Sequence, residues 1–252
     1  MKYMKTILLS VLLLSPLFSA TPEQVEQYIA VSNSEEQLLE LENQFSQMQN
    51  NINQIKSEDA ATENTYDMQL LSIRFREYLQ KNLSENEMDE ILKVYRNVVL
   101  LQFVSVQNDE EYDEKAAREY MKRLENEENA TLRPEILEKI SENLYNTDNI
   151  GILFDNLMKP LLENSMGAES IDSDTMKKSR EAYIRKMIES GRVETAFSTK
   201  EFTIEELESL LEIVKSSAVS KESKAVFGAT AYALQEFFMS IASRYDINKH
   251  KR

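Results

Sequence analysis

Leu83-Ser84-Glu85-Asn86-Glu87-Met88 is a helix start spelled out in six residues. Ser84 supplies the hydroxyl that an N-cap uses to accept a backbone N–H of the first turn. Glu87 stands at N3, where its side chain reaches back to the N-cap N–H, and Leu83 and Met88 occupy the N′ and N4 sites of a hydrophobic staple. The orphan donors of that turn are then satisfied locally, whatever lies around the helix. Phe202-Thr203-Ile204-Glu205-Glu206-Leu207 repeats the arrangement 119 residues later, Thr21-Pro22-Glu23-Gln24 gives a further box with Pro at N1, and Ser34-Glu35-Glu36-Gln37 another.

Between these starts the apolar spacing is helical. Leu38, Leu41, Phe45, Met48, Ile52 and Ile55 follow intervals of 3 and 4 on a Gln, Asn and Glu background, and Met68, Leu71, Phe75 and Tyr78 do the same before ending near Lys81-Asn82. After Ser84 the face Met88, Ile91, Leu92, Tyr95, Val99 predicts one helix running on through Val98 to Val104. β-branched residues there would also suit a strand, but no Gly or Pro stands nearby to turn one. Residues 108–129 are charged, with Tyr112, Ala116, Tyr120, Met121 and Leu124 on one face, and read as a solvated helix or connector. A chain of 252 residues with 4 Gly, 4 Pro and no Cys is not a collagen-like, loop-dominated or disulfide-stapled protein. The expected fold is all-α.

An internal duplication is expected as well. Pro134-Glu135-Ile136-Leu137 matches Pro22-Glu23-Gln24-Val25 at an offset of 112, where Leu38, Leu41 and Phe45 fall on Ile150, Leu153 and Leu157. The capping blocks match at 119, which locates an insertion at Ser190-Gly191-Arg192. The expected organisation is a signal peptide over 1–20, one helical repeat over 21–127 and a second over 128–252: two related antiparallel bundles joined near Glu125 to Arg133.

Export is read from residues 1–20. Lys2 and Lys5 precede an apolar run from Thr6 to Leu14, Pro16 breaks it, and Ser19 and Ala20 are small residues at a processing site. Removing this segment takes the net charge from −15 to −17. So acidic a surface repels phosphate backbones and anionic headgroups, so nucleic acid is not an expected partner. The basic tail Lys249-His250-Lys251-Arg252 reads as a solubilising terminus. Past the signal the longest apolar stretch, Val98 to Val106, is too short to span a bilayer.

Common catalytic constellations find no place. His250, the single histidine, stands three residues from the end, which removes histidine-based triads and zinc sites. There is no thiolate, no Ser-x-x-Lys pair and no Gly-rich phosphate loop. Asp172-Ser173-Asp174 lacks the Gly and Glu of a calcium loop, since Lys177 and Tyr183 stand in their places. The methionines fall on apolar faces as core fillers. Acidic side chains are abundant, so a carboxylate-dependent hydrolase acting on envelope polymer is the one enzymatic alternative. Glu205 and Glu206, however, already serve a helix start, and Trp, a common sugar platform, is absent.

Phe202 to Leu207 followed by Ser217-Ala218-Val219-Ser220, and Leu83 to Met88 followed by Val94-Tyr95-Arg96-Asn97, resemble two blocks of an exported bacterial helical family, the domain of unknown function numbered twenty fifty-nine. The resemblance covers about 40 residues of each half and lies in helix caps; the family's Pro and Gly after the second block are missing here. It implies an exported, mostly periplasmic, all-helical protein with no assigned chemistry.

The expected function is therefore noncatalytic: an exported, periplasmic helical protein that binds a protein or apolar ligand without metal or cofactor. Pro160 should kink or split its helix, and the small-residue run Ala225 to Ala233 permits close helix approach. A groove between the halves is expected near Leu157, Pro160 and Phe237.

Overall fold

The structure, a computed structural model, describes residues 19–35, 38, 68–107, 113–126, 132–165 and 172–244. Residues 1–18 of the targeting segment, the Glu36-Gln37 half of one capping box, the seam from Leu41 to Ile55, Tyr112 and the basic tail lie outside them. The chain is all-helical, with no β-strand among the described residues. In order come α1 (Pro22–Ser32), α2 (Met68–Asn82), α3 (Glu85–Val94), α4 (Val98–Gln107), α5 (Glu114–Asn126), α6 (Leu132–Leu144), α7 (Thr147–Leu153), a π-helical turn (Phe154–Met158), α8 (Lys159–Ser165), α9 (Ser173–Ser198), α10 (Ile204–Val214) and α11 (Ser217–Arg244).

Three of the quoted starts are capping boxes. Thr21, Ser84 and Thr203 accept from the N3 amides of Gln24, Glu87 and Glu206, and each N3 side chain returns the bond. Both staples are buried, Leu83 with Met88 and Phe202 with Leu207. Asp172 is the N-cap of α9, accepting from the amides of Asp174 and Thr175. Ahead of α1, the Ala20 N–H donates to the Leu83 carbonyl at 2.8 Å, pinning the chain to the loop before α3.

One local expectation is corrected. The helix expected from Met88 through Val104 is two helices: Tyr95 closes α3, and the Asn97 side chain accepts from the Val99 amide at 2.9 Å, capping the new start of α4. Residues 114–126 form the helix of the two alternatives, with Met121 and Leu124 of the expected face buried beside Ala117 where α5 meets α9. Of the kink or split expected at Pro160, the split does not occur, since helical residues run on from Thr147 to Ser165. The turn before it widens instead, the Lys159 N–H reaching the Phe154 carbonyl five residues back; such a turn makes room for a ring that an α-helical turn would press against a carbonyl. The site read as an insertion, Ser190-Gly191-Arg192, lies inside uninterrupted α9. A Cβ on Gly191 would stand 2.5 Å from the Tyr145 ring, so the glycine serves helix contact.

α11 organises the molecule. It packs along α2, α3, α7, the π turn and α8, while α10 lies against α6 and α4, and α9 against α5, α6 and α7. One continuous hydrophobic core runs through both sequence halves, joining Leu71, Phe75, Met88 and Ile91 to Leu207, Leu210, Ala229 and Leu234. The run of small residues lets α11 approach α2 so closely that a Cβ on Gly228 would collide with Tyr78.

Candidate functional site

The seam expected to form a groove is closed at its two large side chains. Leu157, on the π turn, and Phe237, on α11, are 6% and 3% exposed and belong to the common core; Pro160 is half-buried. The elements carrying them meet, as α11 packs on the π turn and α8.

A concave surface does form between α5 and α9. This open recess has a volume of about 700 Å³ and is lined by Tyr120, Phe197, Lys122, Arg123 and Lys200 together with Glu119 and Glu201. Tyr120 and Phe197 meet edge-to-face, ring centroids 6.4 Å apart at 74°. The Lys200 ammonium sits 4.0 Å from the Phe197 centroid, and the Arg123 guanidinium 5.9 Å from that of Tyr120. Each ring thus carries a cation on its π-face, where the quadrupole is negative.

The turn that carries Lys200 and Glu201 is held firmly. Thr199 closes α9 with its hydroxyl donating to the Thr195 carbonyl at 2.8 Å, and the Phe202 amide donates to the Thr199 carbonyl at 3.0 Å. Arg133, at the start of α6, donates to the carbonyls of Thr199 and Phe202. These bonds satisfy the carbonyls that a helix C-terminus leaves open and fix the recess wall before any ligand arrives. What results is an aromatic pair bordered by three cations, Lys122, Arg123 and Lys200, and two carboxylates, Glu119 and Glu201.

A second polar arrangement lies deep in the fold. Glu222 of α11 is buried, and one of its oxygens, Oε1, accepts from two phenols: Tyr28 Oη of α1 at 2.8 Å and Tyr95 Oη at the end of α3. The two rings stand edge-to-face, 5.8 Å apart at 83°. The buried hydroxyls of Ser32 and Ser34, at the end of α1, bond to each other at 2.8 Å. Burial pushes the Glu222 carboxyl up to about 7, outweighing the two phenol hydrogen bonds that favour its charged form. Both phenols are held well above the ordinary tyrosine value, by burial first and the adjacent carboxylate second.

Neither constellation was singled out by the sequence reading. Tyr120 was placed on the apolar face of its helix, but Phe197 and Lys200 approach it only through the packing of α9 on α5. Glu222 did leave a trace: it interrupts the inward stripe Ala218, Glu222, Ala225, Ala229 of α11, a charged residue at a helical core position. No family model, curated protein or solved structure matches this chain.

Proposed function

We propose that this is a noncatalytic exported protein, periplasmic after loss of residues 1–20, that uses the α5–α9 recess to bind a protein segment or apolar ligand bearing an anionic group. The observation that carries this reading is the pair Tyr120–Phe197, partly exposed on a preorganised wall and rimmed by Lys122, Arg123 and Lys200. Rings ordered before binding cost little entropy when a ligand stacks on them. The cations would attract an anionic group locally, although the whole chain has a net charge of −15.

The test is a titration of the mature chain with 8-anilinonaphthalene-1-sulfonate, an aromatic anion, followed by fluorescence. Binding should weaken at least tenfold in Tyr120→Ala and Phe197→Ala while helicity is unchanged. Equal affinity in both variants and the wild type would remove the recess from consideration. Mass spectrometry of what co-purifies from the envelope fraction would then seek the natural partner, and the mass of the periplasmic form would test the processing site. Removal through Ala20 would also remove the bond to Leu83.

The hydrolase reading retains one supporting feature, since Glu119 and Glu201 flank the same aromatic pair. Both are exposed, whereas a general acid is normally made by burying one carboxyl of the pair. Loss of envelope-polymer cleavage in Glu119→Gln and Glu201→Gln, with probe binding intact, would favour that reading. The resemblance to the exported helical family and the duplication of two bundles belong to the same proposal, supported by the matched capping boxes at Ser84 and Thr203.

A further inference from the structure

Glu222 joins three elements that are distant in sequence. Tyr28 comes from α1, Tyr95 from the end of α3 and Glu222 from the second turn of α11. The charged groups on the packed elements are all engaged elsewhere or directed to solvent. On α11, Lys221 is exposed and pairs with Glu87 and Glu90 of α3 at 3.3 and 3.7 Å, and Lys224 is exposed. On α3, Asp89 accepts from Gln24 of α1 at 2.7 Å and Glu85 is exposed. On α1, Glu26 pairs with Arg76 of α2 at 2.8 Å, while Glu23 is exposed. From α7, neutral Asn149 donates to Ser223 at 2.9 Å. Among the described residues, what faces the Glu222 carboxyl is two phenols, and no cation stands against its charge.

We propose that Glu222, Tyr28 and Tyr95 form a proton-operated clasp that holds α1 on α3 and α11 when the carboxyl is neutral and releases α1 as it ionises. A buried anion held only by neutral donors is relieved most directly by letting water reach it. Of the three elements α1 is the easiest to move: at 11 residues it is shorter than a helix that stands alone in water. α11, by contrast, is fixed along its length by α2, α7 and α8. Release of α1 would uncover Val25 and Tyr28, both buried in the closed state, and the Tyr95 ring that Tyr28 packs against, giving an apolar surface that exists only on the alkaline side of the transition. The sequence leaves this device few competitors, because the chain has no Cys and one His, at position 250, so near neutrality only that imidazole and the terminal amine should otherwise titrate.

Hydrogen exchange on the full mature chain tests the clasp. Exchange of α1 peptides, corrected for intrinsic chemistry and referred to α10, would be compared at about pH 5.5 and about pH 8. In the wild type and in His250→Asn, α1 should lose protection on the order of tenfold at the higher pH, the linkage expected of a carboxyl released from burial. Glu222→Gln keeps an oxygen for both phenols but cannot ionise, so its α1-to-α10 ratio should stay constant. A pH-independent ratio in the wild type, or the same dependence in Glu222→Gln, overturns the proposal. Should Glu222→Gln fail to fold, Tyr28→Phe decides: it keeps the ring but removes the bond by which α1 is held to Glu222, so α1 should be less protected at about pH 5.5 and the midpoint of its release should move downward. An unmoved midpoint would assign the transition to another group and overturn the clasp.

Discussion

At the residue scale, two glycines inside helices differ in what their missing Cβ avoids. Replacing Gly by Ala in a helix interior ordinarily stabilises by about 1 kcal/mol, because the unfolded chain loses freedom. Gly151 faces the end of the Arg180 side chain, which Asp155 holds at 3.1 and 3.2 Å but which is partly exposed and can swing into solvent, so the loss of that exposed pair should offset the helix gain and Gly151→Ala should stay within about 1 kcal/mol of neutral. Gly191 faces the stiff Tyr145 ring, whose hydroxyl is tied to Glu194. There overpacking should win, and Gly191→Ala should cost about 1–3 kcal/mol in a urea denaturation curve. Equal stabilisation by both substitutions would show that the α6–α9 contact is looser than described. Leu157→Asp and Phe237→Asp place an unpaired carboxylate in the closed core and should each unfold the protein, read as loss of the cooperative thermal transition. A folded Leu157→Asp would reopen the groove at that position.

At the scale of elements, the capping boxes define helix starts by a purely local mechanism, which is why they could be read without knowing the fold. Ser84→Ala and Thr203→Ala remove the hydroxyl that accepts from Glu87 and Glu206, and each should lower stability by about 1 kcal/mol. A denaturation midpoint unchanged in both would contradict the cap geometry. The break at Tyr95–Asn97 and the π turn were harder to read. Apolar periodicity continues across the first, and Pro160 signals a disturbance without saying whether the helix will end, bend or widen. Those outcomes depend on what the neighbouring helices allow, here Tyr95 directed to Glu222 and Phe154 buried in the core.

At the scale of the whole molecule, the pH dependence of stability follows from opposed groups. Glu222 has its folded value raised from 4.5 to about 7, so the folded state holds a proton that the unfolded state has released. Its contribution is full below about pH 4.5 and is lost as pH rises through 7, on the order of 3 kcal/mol over that window. Glu87 is held below the ordinary glutamate range by the Ser84 amide and hydroxyl and by Lys221, so its contribution is present above that range and is lost on acidification. Urea midpoints should therefore fall between about pH 5 and 8 in the wild type and much less in Glu222→Gln; identical slopes would show that Glu222 does not titrate there. The shared core makes a second prediction. Residues 21–127 expressed alone would expose Leu71, Phe75 and Ile91, which α11 and its neighbours bury, and should lack a cooperative transition. Cooperative folding of that piece would favour independent bundles. Sequence by itself determined that this chain is helical and where several helices begin, because caps and 3–4 spacing act within a turn or two of their own residues. Only the tertiary structure decided that Leu157 and Phe237 are core, that Tyr120 and Phe197 share a recess and that Glu222 meets two phenols, because each is a contact between distant segments created when α9 and α11 pack.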